Sequence, residues 1–278
     1  MLFLSFKIKP MNDLLKGKRG IITGALDENS IAWKVALKAH EQGAKIVLTN
    51  APIAMRLGTI RQLAEKTQSE IIPADATSVE EITNLFTKSQ EALGGKVDFV
   101  LHSIGMSPNI RKNIHYTELN YDFYIKSLDI SALSLHKMLS VAYKMDALAD
   151  WGSVVALTYI AAQRVYPFYT DMSEAKAMLE SIVRNFGYHY GKKNKVRVNS
   201  VSQSPTRTSA GTGIKGFAEF FDLAEMQSAL GNASADQCAD YCLTLFSDYT
   251  RMVTMQNLFH DGGYSTTGVS MEMMDKLG

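Results

Sequence analysis

Short apolar runs alternate with amphipathic stretches along nearly the whole chain. Arg19–Thr23 (RGIIT), Lys45–Thr49 (KIVLT), Glu70–Pro73, Val97–His102 (VDFVLH), Gly152–Leu157 (GSVVAL), Lys195–Val201 (KVRVNSV) and Gln256–Phe259 read as seven strands. Between them, Ile31, Val35 and Ala39 recur every four residues as far as Gly43, a natural residue beyond a helix C-terminus. Ile60–Lys66 is a further helix, and Val79, Ile82, Phe86 and Leu93 mark the face of another. Tyr121–Tyr143 and Ser173–Tyr190 are long helical stretches. Apolar strands separated by helices predict a parallel sheet covered on both faces. The expected fold is α/β: one doubly wound, Rossmann-type domain over residues 15–278, behind a leader of residues 1–14. Such sheets bind ligands beyond the carboxyl ends of their strands. Those strand ends are where chemistry is sought.

Composition narrows the partners. The 278 residues carry 29 Lys+Arg against 28 Asp+Glu, a net charge of +1, so neither nucleic acid nor an anionic membrane surface is expected. No apolar run reaches the roughly 18 residues a spanning helix needs. Met1–Phe6 is apolar but lacks a basic leader and a cleavage site, so the expected location is the cytoplasm. Cys238 and Cys242, four apart in a helical-looking stretch, make no disulfide framework and fit a reducing compartment. The six histidines never fall within four residues of one another, so no helical metal pair is expected. His102 reads as strand-end packing.

Two stretches at strand ends carry candidate chemistry. After the first strand, Gly24 permits a tight turn, and Ser30 stands where it can cap the following helix and face a pyrophosphate with the free amides. The G-x-G-x-x-G fingerprint is absent, and no carboxylate ends the second strand, where Thr49-Asn50-Ala51-Pro52 stands. After the fifth strand, Tyr169 and Lys176 lie seven apart, a spacing that would place both on one face of a helix. A nearby ammonium favours phenolate over phenol and can hold sugar hydroxyls.

Gly24-x5-Ser30-Ile31-Ala32, His102-Ser103-Ile104-Gly105, Tyr159-x9-Tyr169-x6-Lys176 and Ser204-Pro205-Thr206-Arg207-Thr208 together resemble the enoyl-[acyl-carrier-protein] reductases of bacterial type II fatty acid synthesis, a divergent branch of the short-chain dehydrogenase/reductases. The resemblance runs from about Leu15 to Asp261-Gly262-Gly263. Its two-tyrosine spacing is the most specific part, because ordinary superfamily members carry a serine well before a single tyrosine. It implies NADH-dependent reduction of the trans-2 double bond of an enoyl thioester on acyl carrier protein, by a homotetramer. Tyr169 would then hydrogen-bond the thioester carbonyl, Lys176 would bind the nicotinamide ribose, and Tyr159 would be the second active-site tyrosine. Gly24, Ser30 and Ile31 would line the pyrophosphate, Asp75 and Ala76 the adenine, and Ile104 the ribose side. Thr206, Arg207, Thr208, Ser209 and Ala210 would hold the nicotinamide carboxamide and pyrophosphate. Ser107 and Phe217 fall at substrate positions.

Departures from the family shape further expectations. Gln203-Ser204-Pro205 replaces the common Ala-Gly-Pro, which implies a differently shaped nicotinamide loop. Ala51 leaves at most a backbone contact to the adenosine ribose. Arg56 is the nearest cation for a 2′-phosphate and reads as a solvated helix residue, so NADH is expected over NADPH. Gln203–Gly216, rich in small polar residues, reads as a mobile loop. The apolar stripe Phe217, Phe220, Phe221 and Ala224 has the spacing of a core face; the resemblance implies instead a substrate lid over about 203–224, with Lys215 at its rim a candidate for the carrier protein. Two other functions compete: a ketone or alcohol oxidoreductase of the same superfamily, and a non-catalytic nucleotide sensor. The missing serine before Tyr159 argues against the first, and the Tyr–Tyr–Lys set against the second.

Overall fold

The computed structural model describes residues 13–57, 59–209, 211–212, 214 and 216–277. Most of the leader, together with Ala210, Gly213 and Lys215, lies outside the described residues. Strand and helix alternate in the order β1 (Arg19–Thr23), α1 (Ile31–Glu41), β2 (Lys45–Thr49), α2 (Thr59–Thr67), β3 (Glu70–Ile71), α3 (Val79–Leu93), β4 (Val97–His102). The chain continues through α4 (Pro108–Arg111), α5 (Tyr121–Leu128), α6 (Ser134–Lys144), β5 (Leu148–Thr158), α7 (Met172–Asn194) and β6 (Arg197–Gln203). It ends with α8 (Phe217–Gln227), α9 (Ala235–Phe246), β7 (Asn257–His260) and α10 (Met271–Leu277).

The seven strands form one sheet in the order β3-β2-β1-β4-β5-β6-β7, and every pairing is parallel. This is the doubly wound topology, with its switch point between β1 and β4. Alternate residues of each strand feed two cores. Ile21, Val47, Val100, Val154 and Val198 meet α3, α6 and α7 on one face. Ile22, Leu48, Leu101, Val155 and Val201 meet α1, α2 and α9 on the other. A strand buried on both faces has no polar side to show, which is why these runs lack alternation. Gly20 fits β1 because a Cβ there would fall 2.2 Å from the ring of Phe99, which stacks on Phe246 at 4.5 Å.

Several elements depart from their sequence-based bounds. The third strand was expected to reach Pro73, yet β3 stops at Ile71. Ile72 and Ala74 still donate to Leu48 and Asn50, and Pro73 sits on the open edge, where its missing N–H costs no ladder bond. The expected continuous helix Tyr121–Tyr143 is interrupted at Asp129–Leu133 by a widened π turn. There the Ser131 hydroxyl accepts from Met106 N–H at 3.0 Å, and the Ser134 hydroxyl donates to the Ile130 carbonyl at 2.6 Å. Side chains thus tie the turn to the loop after β4. The α7 helix runs on to Asn194 and ends where Lys195 takes a left-handed φ of 60°. The α9 helix opens with a capping box between Ser234 and Gln237.

Candidate active site

The loops after β1, β4, β5 and β6 meet at the carboxyl edge of the sheet. Gly24 carries a φ of +80°, and a Cβ there would lie 1.9 Å from the Ser103 carbonyl. Only glycine permits both the turn and this approach. From the other side, Ser103 N–H donates to Thr23 Oγ1 at 3.1 Å, so the loops after β1 and β4 are fastened together. Ser30 stands at the α1 N-cap position but makes no side-chain cap; its hydroxyl donates to the Asp27 carbonyl at 2.7 Å. The expected serine cap is therefore absent, and the first-turn amides at Ile31 are left uncovered by it. That is the arrangement a pyrophosphate requires, so the turn fits a dinucleotide.

The remaining positions expected to meet the cofactor fall around the same edge. Asp75 and Ala76, both half-buried, follow β3; Asp75 Oδ1 accepts from the Thr77 amide and hydroxyl, each at 2.8 Å. Ile104 is half-buried just beyond β4. Beyond β6, Thr206 Oγ1 accepts from Gln203 Nε2 at 3.0 Å, and the Thr208 hydroxyl accepts from Gly211 N–H at 3.0 Å. Arg207 lies over the ring of Phe221 at 4.3 Å, and Ser209 is exposed. Gln203 and Ser204, the departures in this loop, brace it. The Gln203 amide donates to the Ala233 carbonyl at 3.0 Å and accepts from His260 Nδ1 at 2.7 Å, while Ser204 Oγ accepts from Ala233 N–H at 2.9 Å.

At the centre lie the tyrosines and the lysine. Tyr159 directly follows β5, and Tyr169 sits in the turn ahead of α7; their ring centroids are 5.2 Å apart. Lys176 is buried in α7 and donates to the Leu157 carbonyl at 2.9 Å. Tyr169 precedes the first helical residue, Met172, so Tyr169 and Lys176 do not share a helix face as the spacing suggested. Burial pushes the Tyr169 phenol well above its usual range. Burial does the same to Tyr159, reinforced by Tyr264 and Tyr169. Both phenols therefore stay protonated as donors. The expected ammonium-stabilised phenolate is not what this geometry favours. Burial also brings the Lys176 ammonium down to about 8, with the Glu180 carboxylate opposing the shift. His102, behind Lys176, is driven to about 3 by burial and the lysine charge, so it stays neutral. Its Nε2 lies 2.8 Å from Ser134 Oγ, which makes it the packing residue expected.

The expected substrate positions Ser107 and Phe217 lie in different surroundings. Ser107 is buried; its hydroxyl caps α4 by accepting from Ile110 N–H and donates to Asp171 at 2.7 Å. Its polar capacity is spent inside the protein. Phe217 turns toward Phe221, with rings 6.1 Å apart, whereas Phe220 faces Tyr166 at 5.5 Å and Phe168 at 6.1 Å. Of the stripe on α8 only Ala224 is buried, so its aromatics stay half-open, with Phe220 against Tyr166 and Phe168.

Three residues that sequence reasoning passed over organise this centre. Asp171, wholly buried, accepts from Ser107 Oγ (2.7 Å), Ser127 Oγ (2.7 Å), Asn109 Nδ2 (2.9 Å) and Thr170 Oγ1 (3.0 Å). Glu180, also buried, accepts from Thr158 Oγ1 (3.0 Å), Gln163 Nε2 (3.1 Å) and Asn257 Nδ2 (3.1 Å). Tyr166 lies with its ring 5.2 Å from Tyr159. The only signal in the sequence was their nearness to the two tyrosines and the lysine.

Comparison with known proteins points one way. The model of the family described as "Enoyl-(Acyl carrier protein) reductase" matches residues 24–265. The chain is 31% identical to the NADH enoyl-[acyl-carrier-protein] reductase FabI of Bacillus subtilis, over 92% of this chain and 99% of that protein. It is 34% identical to the corresponding FabI of Rickettsia bellii, over 92% of this chain and 96% of that one. Among solved structures, the FabI–NADH complex of Alistipes finegoldii superposes with a TM-score of 0.93 at 60% identity, covering 94% of this chain and 92% of that one.

Proposed function

From the premise that the chain belongs to the enoyl-[acyl-carrier-protein] reductase family, we propose how its own residues carry the family reaction. The protein is an NADH-dependent enzyme that reduces the trans-2 double bond of enoyl thioesters borne by acyl carrier protein. The observation that carries the assignment of roles is the pair of protonated tyrosines, 5.2 Å apart, beside the buried Lys176.

Reducing a conjugated double bond drives negative charge onto the thioester oxygen, so the site must hold donors ready for that oxyanion. Tyr169 donates to it. Its ring is set among Ile110, Met172 and Ala175, which fixes where the hydroxyl points. Tyr159 is the second donor facing the substrate. Lys176, charged at neutral pH, holds the nicotinamide ribose hydroxyls. Gly24, Ser30 and Ile31 receive the pyrophosphate, Asp75 and Ala76 the adenine, Ile104 the ribose side, and the Thr206–Ala210 segment the carboxamide. NADH, when bound, supplies the hydride. Phe220 of α8, packed against Tyr166 and Phe168, serves the lid that would exclude water from the developing enolate. Ser107 contributes through its backbone position, and Phe217 lines the outer part of the acyl path.

The same proposal places the enzyme in the cytoplasm as a homotetramer, one catalytic domain per chain. Among the described residues no helix is long and apolar enough to cross a membrane, and Tyr121 and Ile125 expose apolar surface on α5. Absorbance at the reduced-nicotinamide band, followed with crotonyl and longer enoyl thioesters alongside a panel of ketones, tests the function. NADH consumption with enoyl thioesters alone is expected. Turnover of ketones without enoyl turnover would overturn it.

A further inference from the structure

Tyr166 stands between three separate parts of the fold. Its backbone precedes Pro167, which restricts it to extended conformations. One side of its ring meets Tyr159 at 5.2 Å, and Phe220 of α8 lies 5.5 Å away. Its hydroxyl donates to the Tyr264 hydroxyl at 2.6 Å. Tyr264 is in turn anchored beyond β7, since its N–H donates to the Asp261 carbonyl at 3.1 Å. The Asp261 carboxylate secures that turn by accepting from Gly263 and Ser265 N–H, each at 3.0 Å. Packing alone would be served by phenylalanine. A phenol bonded to a second, separately anchored phenol fixes the ring in a way packing does not.

We propose, resting on the enoyl reductase reading, that Tyr166 is a positioning residue for the reaction. Held by Tyr264, it sets the place of Tyr159 and joins that catalytic tyrosine to α8 of the lid. Tyr159 touches the substrate; Tyr166 acts through it. Tyr159 is then kept in its working place by a ring that is itself packed against Phe220 of α8.

The test is steady-state kinetics of Tyr166→Phe, Tyr264→Phe and the double variant with crotonyl thioester, beside NADH affinity by fluorescence titration. Each single variant removes the same hydrogen bond and leaves its ring. The expected result is a fall in kcat of about 3–10-fold in each, NADH affinity within about twofold of wild type, and a double variant no worse than the poorer single one. Tyr166→Val, which also removes the ring between Tyr159 and Phe220, is expected to lose more kcat than Tyr166→Phe. Wild-type kcat in either phenylalanine variant, losses that multiply in the double variant, or NADH affinity falling in step with kcat would each overturn the proposal. A wild-type enzyme that turns over crotonyl thioester normally, with variants indistinguishable from it, defeats this inference alone. A wild-type enzyme inactive on every enoyl thioester defeats the function and the inference together.

Discussion

Removing the Asp171 carboxylate should weaken the whole protein as well as its chemistry. Four donors from four places converge on it: the loop after β4, α4, α5 and the turn bearing Tyr169. In Asp171→Ala two of them keep a second acceptor, since Ser127 also donates to the Phe123 carbonyl and Asn109 to the Asn120 carbonyl. The Ser107 and Thr170 hydroxyls lose theirs. Two orphaned buried donors at about 1–3 kcal/mol each amount to about 2–6 kcal/mol, to which the two weakened charge-assisted bonds add. Thr170 holds a φ of 38°, an unfavourable left-handed conformation for a β-branched residue, and its bond to Asp171 helps to keep it there. Losing that bond lets the turn relax and carries Tyr169 away from the substrate. For a chain of this size the loss corresponds to a fall in Tm of roughly 10 °C. Differential scanning calorimetry of wild type, Asp171→Ala and Asp171→Asn measures it, with the asparagine variant expected in between because one oxygen still accepts. Asp171→Ala melting within about 2 °C of wild type would refute the reasoning.

Other perturbations separate the roles of neighbouring groups. Tyr169→Phe removes one oxyanion donor and keeps the ring, so kcat should fall roughly 10–1,000-fold with NADH affinity unchanged; unchanged turnover under chemistry-limited conditions would count against it. Lys176 titrates near 8 in the free protein, so NADH affinity should decline as pH rises above that value. The Glu180 carboxylate favours the ammonium, so Glu180→Gln should move this alkaline limb to lower pH; a limb that stays put or rises contradicts the coupling. Gly24→Ala forces a side chain against the Ser103 carbonyl at a φ of +80° and should weaken NADH at least about tenfold in titration, wild-type affinity being the contrary result. Amide hydrogen exchange across 203–216 should slow when NADH and an enoyl analogue bind together. Equal exchange with and without both ligands would end the lid reading.

Much of this was legible from the chain because the strands are buried on both faces. The bounds of β1, β2 and β4 follow from apolar runs closed by Gly24, Asn50 and Ser103, and the sheet class follows from their alternation with helices. The two tyrosines and the lysine were visible through their spacing. Their mutual arrangement was not, because a periodicity argument assumes a helix at Tyr169, and the chain there makes a turn with Thr170 at positive φ. The break between α5 and α6 was hidden for a related reason. Asp129–Leu133 keeps a helix-compatible pattern, and the widened turn there carries Ser131, bonded to Met106, far off in sequence. Asp171, Glu180 and Tyr166 are ordinary residues in the sequence. Their importance lies in donors and rings brought from α5, β7 and α8, which no local pattern reveals.

The destination of the hydride tests the central claim most directly. With NADH deuterated at the transferring position of the nicotinamide and crotonyl thioester in ordinary water, mass spectrometry and NMR locate the label in the product. Delivery to the β-carbon, followed by protonation of an enolate held by Tyr169 and Tyr159, predicts one deuterium at C3 of a saturated thioester. The same reaction in heavy water with unlabelled NADH predicts the label at C2. Deuterium on the carbonyl carbon, with the double bond intact, would contradict the account.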